Sequence, residues 1–126
     1  MDERIKTEFD LLCTAYPDAV YKDRWILLPS YRLTEGWSLA EAGIAFFLRP
    51  PYPGISPYGI YAPTGLTFKG TPPQNYTQAS PPPPFPGNWS VFSWEADAWL
   101  PGSEPTNGHN LLTWSAGFRK RFLQGV

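Results

Sequence analysis

Few side chains in this chain have the type and spacing that catalysis requires. Glu95 and Asp97 lie two residues apart, so both carboxylates point to the same side if that stretch is extended. An isolated carboxylate pair is weak support for acid–base catalysis. His109 is the only histidine. It can act as a general base or orient a nucleophile, or it can hydrogen-bond the backbone at the start of a helix.

The sequence lacks the common catalytic motifs. It has no Walker loop, no Gly-x-Gly-x-x-Gly, no nucleophile elbow and no histidine pair at metal-binding spacing. Cys13 is the single cysteine, which excludes an internal disulfide and argues against a thiolate metal site. Because Cys13 lies on the apolar face of a predicted helix, we expect a small buried hydrophobe and not a reactive thiol. We predict neither a metal nor a cofactor.

Length and composition favour one ordered domain over residues 1–126. The 10 basic and 11 acidic side chains give no general attraction to nucleic acid or to an anionic membrane. No signal peptide or membrane span is visible, and with the single cysteine this favours a cytoplasmic location. The 16 prolines occur with 6 Trp, 7 Tyr and 8 Phe, enough aromatic area to order the chain around rigid loops.

An amphipathic helix is predicted over residues 2–14, with Asp2 as its N-cap. Its apolar face holds Ile5, Phe9, Leu12 and Cys13, and we expect Arg4, Lys6 and Glu8 to lie elsewhere. Tyr16 precedes a proline and is therefore expected to end the helix.

Strands are predicted over residues 19–21, 24–28, 44–48 and 57–63, with Lys22-Asp23 as the first turn. The first three form an antiparallel meander, so the sheet has about four strands. Pro-Pro-Tyr-Pro at 50–53 must leave the sheet after the third strand, because prolines donate no backbone hydrogen bond.

Residues 64–87 are predicted to be a long proline-rich loop without regular structure. Residues 81–84 should form polyproline II, either as a stiff strap over the core or as a ligand for a partner's aromatic groove. After an aromatic stretch at 88–99 and a loop at 101–108, a closing helix carries Leu111, Ser115, Phe118 and Phe122 on one face. Asn107 or Asn110 is its expected cap, and the basic run 119–121 complements its dipole more than it forms a binding patch. The predicted fold class is α+β.

This order of elements resembles the ubiquitin-conjugating (UBC-like) fold over nearly the whole chain. The resemblance rests on Leu48-Arg49-Pro50-Pro51-Tyr52-Pro53 followed by Gly59-Ile60-Tyr61. Further residues are similar to a divergent prokaryotic branch found with bacterial ubiquitin-like modification operons: Leu27-Leu28-Pro29, Gly36-Trp37, Trp94 and Trp99-x-Pro101-Gly102. Phage defence is one role that this association implies.

The resemblance implies transthiolation, in which a cysteine accepts a modifier as a thioester and passes it to an amine. Asn75 is the candidate for the family's oxyanion-stabilising asparagine. No cysteine follows it; Ser90 stands nearest the expected position and Ser93 is second, through a Cys→Ser substitution or a natural loss. The prokaryotic branch carries a histidine downstream, and His109 fits that description.

The implied partners are a ubiquitin-like modifier and its activating enzyme. Arg4 and Lys6 on the first helix, with Tyr52 and Pro53 of the proline motif, are the expected contacts. Two functions follow: a conjugating enzyme whose nucleophile is absent here, or a catalytically inactive binding module. A proline-rich scaffold domain of unrelated function is the third alternative. The UBC-like assignment also requires Tyr52 and Trp99 on one side of the molecule, with a tryptophan-lined groove near Ser90 and the last helix.

Overall fold

One antiparallel sheet carries the fold, and helices at both ends of the sequence pack against it. The computed structural model describes residues 2–95 and 98–126. Within them the elements are α1 (Glu3–Ala15), β1 (Val20–Lys22), β2 (Trp25–Arg32), β3 (Glu41–Phe47), β4 (Tyr58–Pro63), β5 (Tyr76–Gln78), β6 (Trp89–Phe92), α2 (Leu111–Ala116) and α3 (Phe118–Leu123). The strand order is β1-β2-β3-β4-β6-β5. The predicted α+β class is confirmed.

The first helix follows the prediction at both ends. The Asp2 side chain accepts a hydrogen bond of 2.8 Å from the Ile5 N–H, which satisfies one of the free donors at a helix start. The helix ends at Tyr16, whose N–H donates to the Leu12 carbonyl at 3.0 Å. The expectation that Glu8 lies off the apolar face is wrong, since Glu8 is fully buried. It sits three residues after Ile5 and four before Leu12, and this spacing puts it on their face.

The meander is present, with longer strands than predicted. β2 continues through Pro29 to Arg32, and the register shifts between Leu28 and Tyr31, where a bulge accommodates the proline. The first turn lies at Asp23 and Arg24, which both have positive φ, and not at Lys22-Asp23.

The prediction of about four strands is wrong, because the described residues form six. β5 lies inside the stretch 64–87 that was predicted to have no regular structure. It has only three residues, and its edge position depends on pairing with β6, for example Thr77 with Val91. β6 in turn pairs with β4, Val91 with Tyr61. Such short strands are stabilised by their partners and not by a local pattern.

The sheet has two unlike faces. The inner face packs against the helices in a core to which α1 contributes Ile5 and Leu12, and α3 contributes Phe118 and Phe122. The outer face carries a separate cluster of Trp25, Ala45, Tyr61, Ala79, Trp89 and Val91. None of the helices among the described residues is long and apolar enough to cross a membrane.

The predicted closing helix is present but divides into α2 and α3 at Gly117. Asn110, and not Asn107, caps its start: the Asn110 side chain accepts from the Thr113 N–H at 3.0 Å. The Thr113 hydroxyl in turn accepts from the Asn110 N–H at 2.8 Å, which completes a capping box. α2 therefore begins at a well-defined point beside α1.

Candidate functional site

A buried carboxylate joins three elements that are distant in sequence. Glu8 Oε2 accepts from Arg4 Nε at 2.8 Å. Glu8 Oε1 accepts from the Leu111 N–H at 2.9 Å and also from the Tyr52 hydroxyl. These hydrogen bonds connect α1 with the proline turn and with the first residue of α2, so the partners that a buried charge requires are supplied.

The two basic residues predicted as partner contacts differ in accessibility. Arg4 has a side chain only 21% exposed, and besides Glu8 it donates from Nη1 to the Gly102 carbonyl at 2.9 Å. Its guanidinium is thus held inside the fold. Lys6 has a side chain 64% exposed and pairs with Asp10 at 3.0 Å, so Lys6 is the accessible cation of this pair.

Tyr52 and Trp99 lie together, as the resemblance requires. Their ring centroids are 6.0 Å apart, and Trp99 Nε1 donates to the Pro53 carbonyl at 2.7 Å. Burial, followed by the hydrogen bond to Glu8, raises the pKa of Tyr52 far above its usual value. Tyr52 is buried, so of the two predicted contacts in this motif only the half-buried Pro53 reaches the surface.

A small cleft of about 100 Å³ opens beside α2. Its lining consists of Trp94, Trp99, His109, Thr113, Trp114 and Gly117. Trp94 and Trp114 stack with centroids 4.5 Å apart, and Trp99 stacks on His109 at 5.4 Å. The predicted tryptophan-lined groove near the last helix is therefore present, but Ser90 is not in its lining.

His109 uses one ring nitrogen to hold the backbone. Its Nδ1 accepts from the Leu100 N–H at 2.8 Å, and its own backbone N–H donates to the Leu100 carbonyl at 2.9 Å. A neutral imidazole that accepts at Nδ1 carries its proton on Nε2. This matches the backbone-bonding alternative for His109, and it leaves Nε2–H as a donor at the cleft wall.

The loop between Leu100 and His109 closes tightly enough to require glycine. Gly102 donates its N–H to the Asn107 carbonyl at 3.0 Å. A Cβ at Gly102 would lie 2.3 Å from that carbonyl oxygen, and Gly108 has a φ of +69°. Side chains at these positions would move His109, and with it one wall of the cleft.

Asn75 and Ser93 meet at the exposed end of the β5–β6 pair. The Ser93 N–H donates to the Asn75 carbonyl at 3.3 Å, and both residues are exposed. The structure therefore brings together the candidate oxyanion-stabilising asparagine and the second candidate nucleophile position.

Ser90 lies elsewhere. It is 5% exposed in the middle of β6, between Ala62 and Gln78, and its hydroxyl is 3.0 Å from that of Thr64. In the described residues no hydrogen bond joins Ser90 or Ser93 to His109. An unactivated serine hydroxyl is a poor nucleophile.

The remaining candidates have local roles. Glu95 pairs with Arg49 at 2.8 Å, and Asp97 lies outside the described residues. Burial, and secondarily the charge of Asp10, raises the pKa of the Cys13 thiol, which disfavours its reactive thiolate form. No group of three or more potential metal ligands occurs in the described ranges.

Two parts of this region were missed in the sequence. Glu8 could have been found from its position between Ile5 and Leu12 on one helical face. Thr113 and Trp114 follow the cap Asn110 at fixed offsets, but nothing local indicates that Trp94 would stack on Trp114 across the chain.

Comparisons with protein-family models, curated proteins and solved structures found no match to this chain. A function for the chain must therefore be inferred from its own residues and geometry.

Proposed function

We propose that this chain is a catalytically inactive, UBC-like binding module that binds a ubiquitin-like modifier or its activating enzyme in a bacterial conjugation pathway. One observation carries the proposal. The residue at the expected nucleophile position, Ser90, is 5% exposed, and its hydroxyl makes a hydrogen bond with the Thr64 hydroxyl. A modifier's C-terminus could not reach that hydroxyl without opening the sheet.

The architecture supports the UBC-like part of the proposal. An N-terminal helix, an antiparallel meander and a proline turn after β3 occur in the expected order. The proline turn also packs on Trp99, through Tyr52 and the Pro53 carbonyl. These agreements concern the architecture only. With the nucleophile position inaccessible, binding is the part of the family's activity that this chain can still perform.

A direct binding measurement tests this proposal. The purified chain would be titrated with purified bacterial ubiquitin-like proteins and activating enzymes, and we expect one of them to bind. Lys6→Glu should weaken binding to an activating enzyme by about tenfold, mainly by slowing association. Arg32→Glu is the matched control, since Arg32 is 79% exposed and also ion-paired, but lies on β2.

Equal losses for Lys6→Glu and Arg32→Glu would indicate a general charge effect and not a site on α1. If no modifier and no activating enzyme binds at concentrations up to about 1 mM, the proposal is wrong.

The conjugating-enzyme alternative is favoured by one observation, the exposed Ser93 beside Asn75. Ser90→Cys and Ser93→Cys would each be made in a Cys13→Ser background and incubated with activating enzyme, modifier and ATP. The binding-module proposal predicts no adduct that a reducing agent removes. Such an adduct on either variant would replace it with the enzyme function and would identify the nucleophile position.

A further inference from the structure

The outer face of the sheet carries a central uncharged strip, with charged residues beside it at Lys22 and at the Arg32–Glu41 pair. One row of paired residues crosses it from β2 to β5: Leu27, Ala45, Tyr61, Val91 and Thr77. Beside this row, Trp25 packs on Phe47 at 5.0 Å and on Tyr61 at 4.8 Å. Aromatic side chains on a pleated sheet form shallow apolar grooves, and here the row contains no charge that would exclude an apolar ligand.

Residues 81–86, which we call the proline strap, connect β5 to β6 and lie on this face. Along the strap Pro83 is buried and Phe85 is half-buried, whereas Pro82 and Pro86 are exposed. The Phe85 ring packs against the outer cluster that contains Trp89 and Tyr61. The strap therefore has one side bound to the sheet and one side in solvent.

A single hydrogen bond fixes the strap's position. Trp89 Nε1 donates to the Phe85 carbonyl at 3.1 Å. Five of the six strap residues are prolines and have no N–H, so the strap offers a hydrogen-bond partner mainly its carbonyls. The edge of the Trp89 ring lies over Gly43 of β3, where a Cβ would be 3.4 Å from the ring.

An aromatic face with an indole N–H aimed at a carbonyl is the chemistry that recognises proline-rich segments, which lose little conformational entropy on binding. We propose that the outer face is a proline-recognition groove. Its own strap occupies it in cis, and a proline-rich segment of another protein, carrying a large apolar side chain like Phe85, takes the strap's place. The strap is the template for that partner's chemistry, and the inference does not depend on a conjugation pathway.

A second copy of this chain fits the groove less well. The strap is tied at both ends, since the Ala79 N–H donates to the Trp89 carbonyl at 3.1 Å and β5 and β6 are neighbours. It is a closed hairpin loop, and exchange between two chains would require both strands to separate.

The test uses the full chain and a fluorescein-labelled peptide of residues 80–87, Ser-Pro-Pro-Pro-Pro-Phe-Pro-Gly. Phe85→Ala weakens the packing of the proline strap on the groove, so the groove is unoccupied for a larger fraction of the time. Apparent affinity rises with that fraction, and we expect an increase of about tenfold in fluorescence anisotropy titrations. Pro82→Ala is the matched control, because Pro82 is exposed, and it should bind like the unmodified chain.

Adding Trp89→Phe to Phe85→Ala should remove the gain, because phenylalanine keeps a ring but lacks the indole donor. A folded Phe85→Ala chain that binds no better than the unmodified chain would overturn the proposal, as would a gain that persists without Trp89.

Two further outcomes are decisive. If Phe85→Ala does not fold, the unmodified chain is titrated with unlabelled peptide. A shift of the Trp89 indole N–H signal then supports the groove, and no shift at millimolar peptide overturns it. Self-association of the unmodified chain that Phe85→Ala abolishes would assign the groove to a second copy and contradict a partner protein.

Discussion

The two faces of the sheet are covered in different ways. On the inner face, Glu8 accepts three hydrogen bonds that connect α1, the proline turn and α2. On the outer face, one hydrogen bond from Trp89 to the Phe85 carbonyl and the packing of half-buried rings hold the strap. The inner cover involves a buried charge that cannot be left unpaired, whereas the outer cover involves only neutral groups that water can also satisfy.

This difference determines which face of the sheet can lose its cover while the rest of the chain stays folded. A cover held by a buried charge is costly to open, so the inner face should move only when the chain unfolds. A neutral, half-exposed cover can open locally at much lower free energy. The two covers should therefore respond differently to mutation.

The largest effect is expected for Glu8→Ala. The change leaves the Arg4 guanidinium and the Leu111 N–H without their partner, and breaking a buried ion pair from one side costs about 3–5 kcal/mol. Urea unfolding followed by tryptophan fluorescence would measure it. Asp10→Ala is the matched control, since it removes an exposed i,i+4 pair with Lys6 on the same helix and should cost no more than about 0.5 kcal/mol. Similar losses in the two variants would contradict the role given to Glu8.

Alkaline pH should have the next largest effect, because burial raises the pKa of tyrosines on the inner face and, on the outer face, the pKa of Tyr61. Burial raises the pKa of Tyr31 to about 12 from a reference value of 10.0. It also raises the pKa of Tyr52 and Tyr76. The folded chain therefore holds these protons more tightly than the unfolded chain. The free energy of unfolding should be fully retained below pH 10 and fall as pH rises through the folded-state pKa values.

The measurement is urea unfolding at intervals from pH 8 to pH 12. Tyr31→Phe should reduce the slope above pH 10, because one of the shifted protons is then absent. A free energy of unfolding that stays constant up to pH 12 would contradict the burial of these hydroxyls.

Tyr52→Phe should have an intermediate effect. It removes only the hydroxyl that donates to the Glu8 carboxylate, and hydrogen bonds to charged groups contribute about 1.5–3 kcal/mol. Tyr76→Phe removes a hydroxyl that donates to the neutral Pro63 carbonyl, and it should cost about 0.5–1.5 kcal/mol. Equilibrium unfolding compares them, and a larger cost at Tyr76 would be inconsistent with the importance of the charge.

Phe85→Ala should have the smallest effect on stability. The ring is half-buried, so removing it should cost about 1 kcal/mol, less than the value for a fully buried side chain. Limited proteolysis should nevertheless cut this variant faster within residues 80–88 and leave the rest intact. Loss of the whole fold at the same denaturant concentration as Glu8→Ala would show that the two covers are equivalent.

The elements with strong local signals could be predicted from sequence. The N-cap Asp2 and the spacing of Ile5 and Leu12 defined α1, and apolar runs bounded by prolines indicated β3 and β4. The UBC-like resemblance required Tyr52 and Trp99 on one side of the molecule, and their rings lie 6.0 Å apart. These features depend on neighbouring residues or on a motif of several residues.

The rest depends on partners distant in sequence. Tyr76–Gln78 has no strand pattern of its own and forms β5 only because β6 is beside it. Charged residues are seldom buried, so a helical pattern alone predicts Glu8 off the apolar face; its burial is possible because Arg4, Tyr52 and Leu111 converge on it. Ser90 was expected near the cleft, but the pairing of β6 with β4 and β5 directs it into the sheet.

Gly43 leaves the space that the Trp89 indole fills on the outer face of the sheet. An alanine methyl at this position would lie 3.4 Å from the edge of the ring, an ordinary van der Waals contact, so Gly43→Ala should leave the indole in place. A side chain larger than a methyl group would compete with the ring for the same volume and would move Trp89 away from the Phe85 carbonyl. The size of one residue in a central strand therefore limits what can lie on the chain's outer surface.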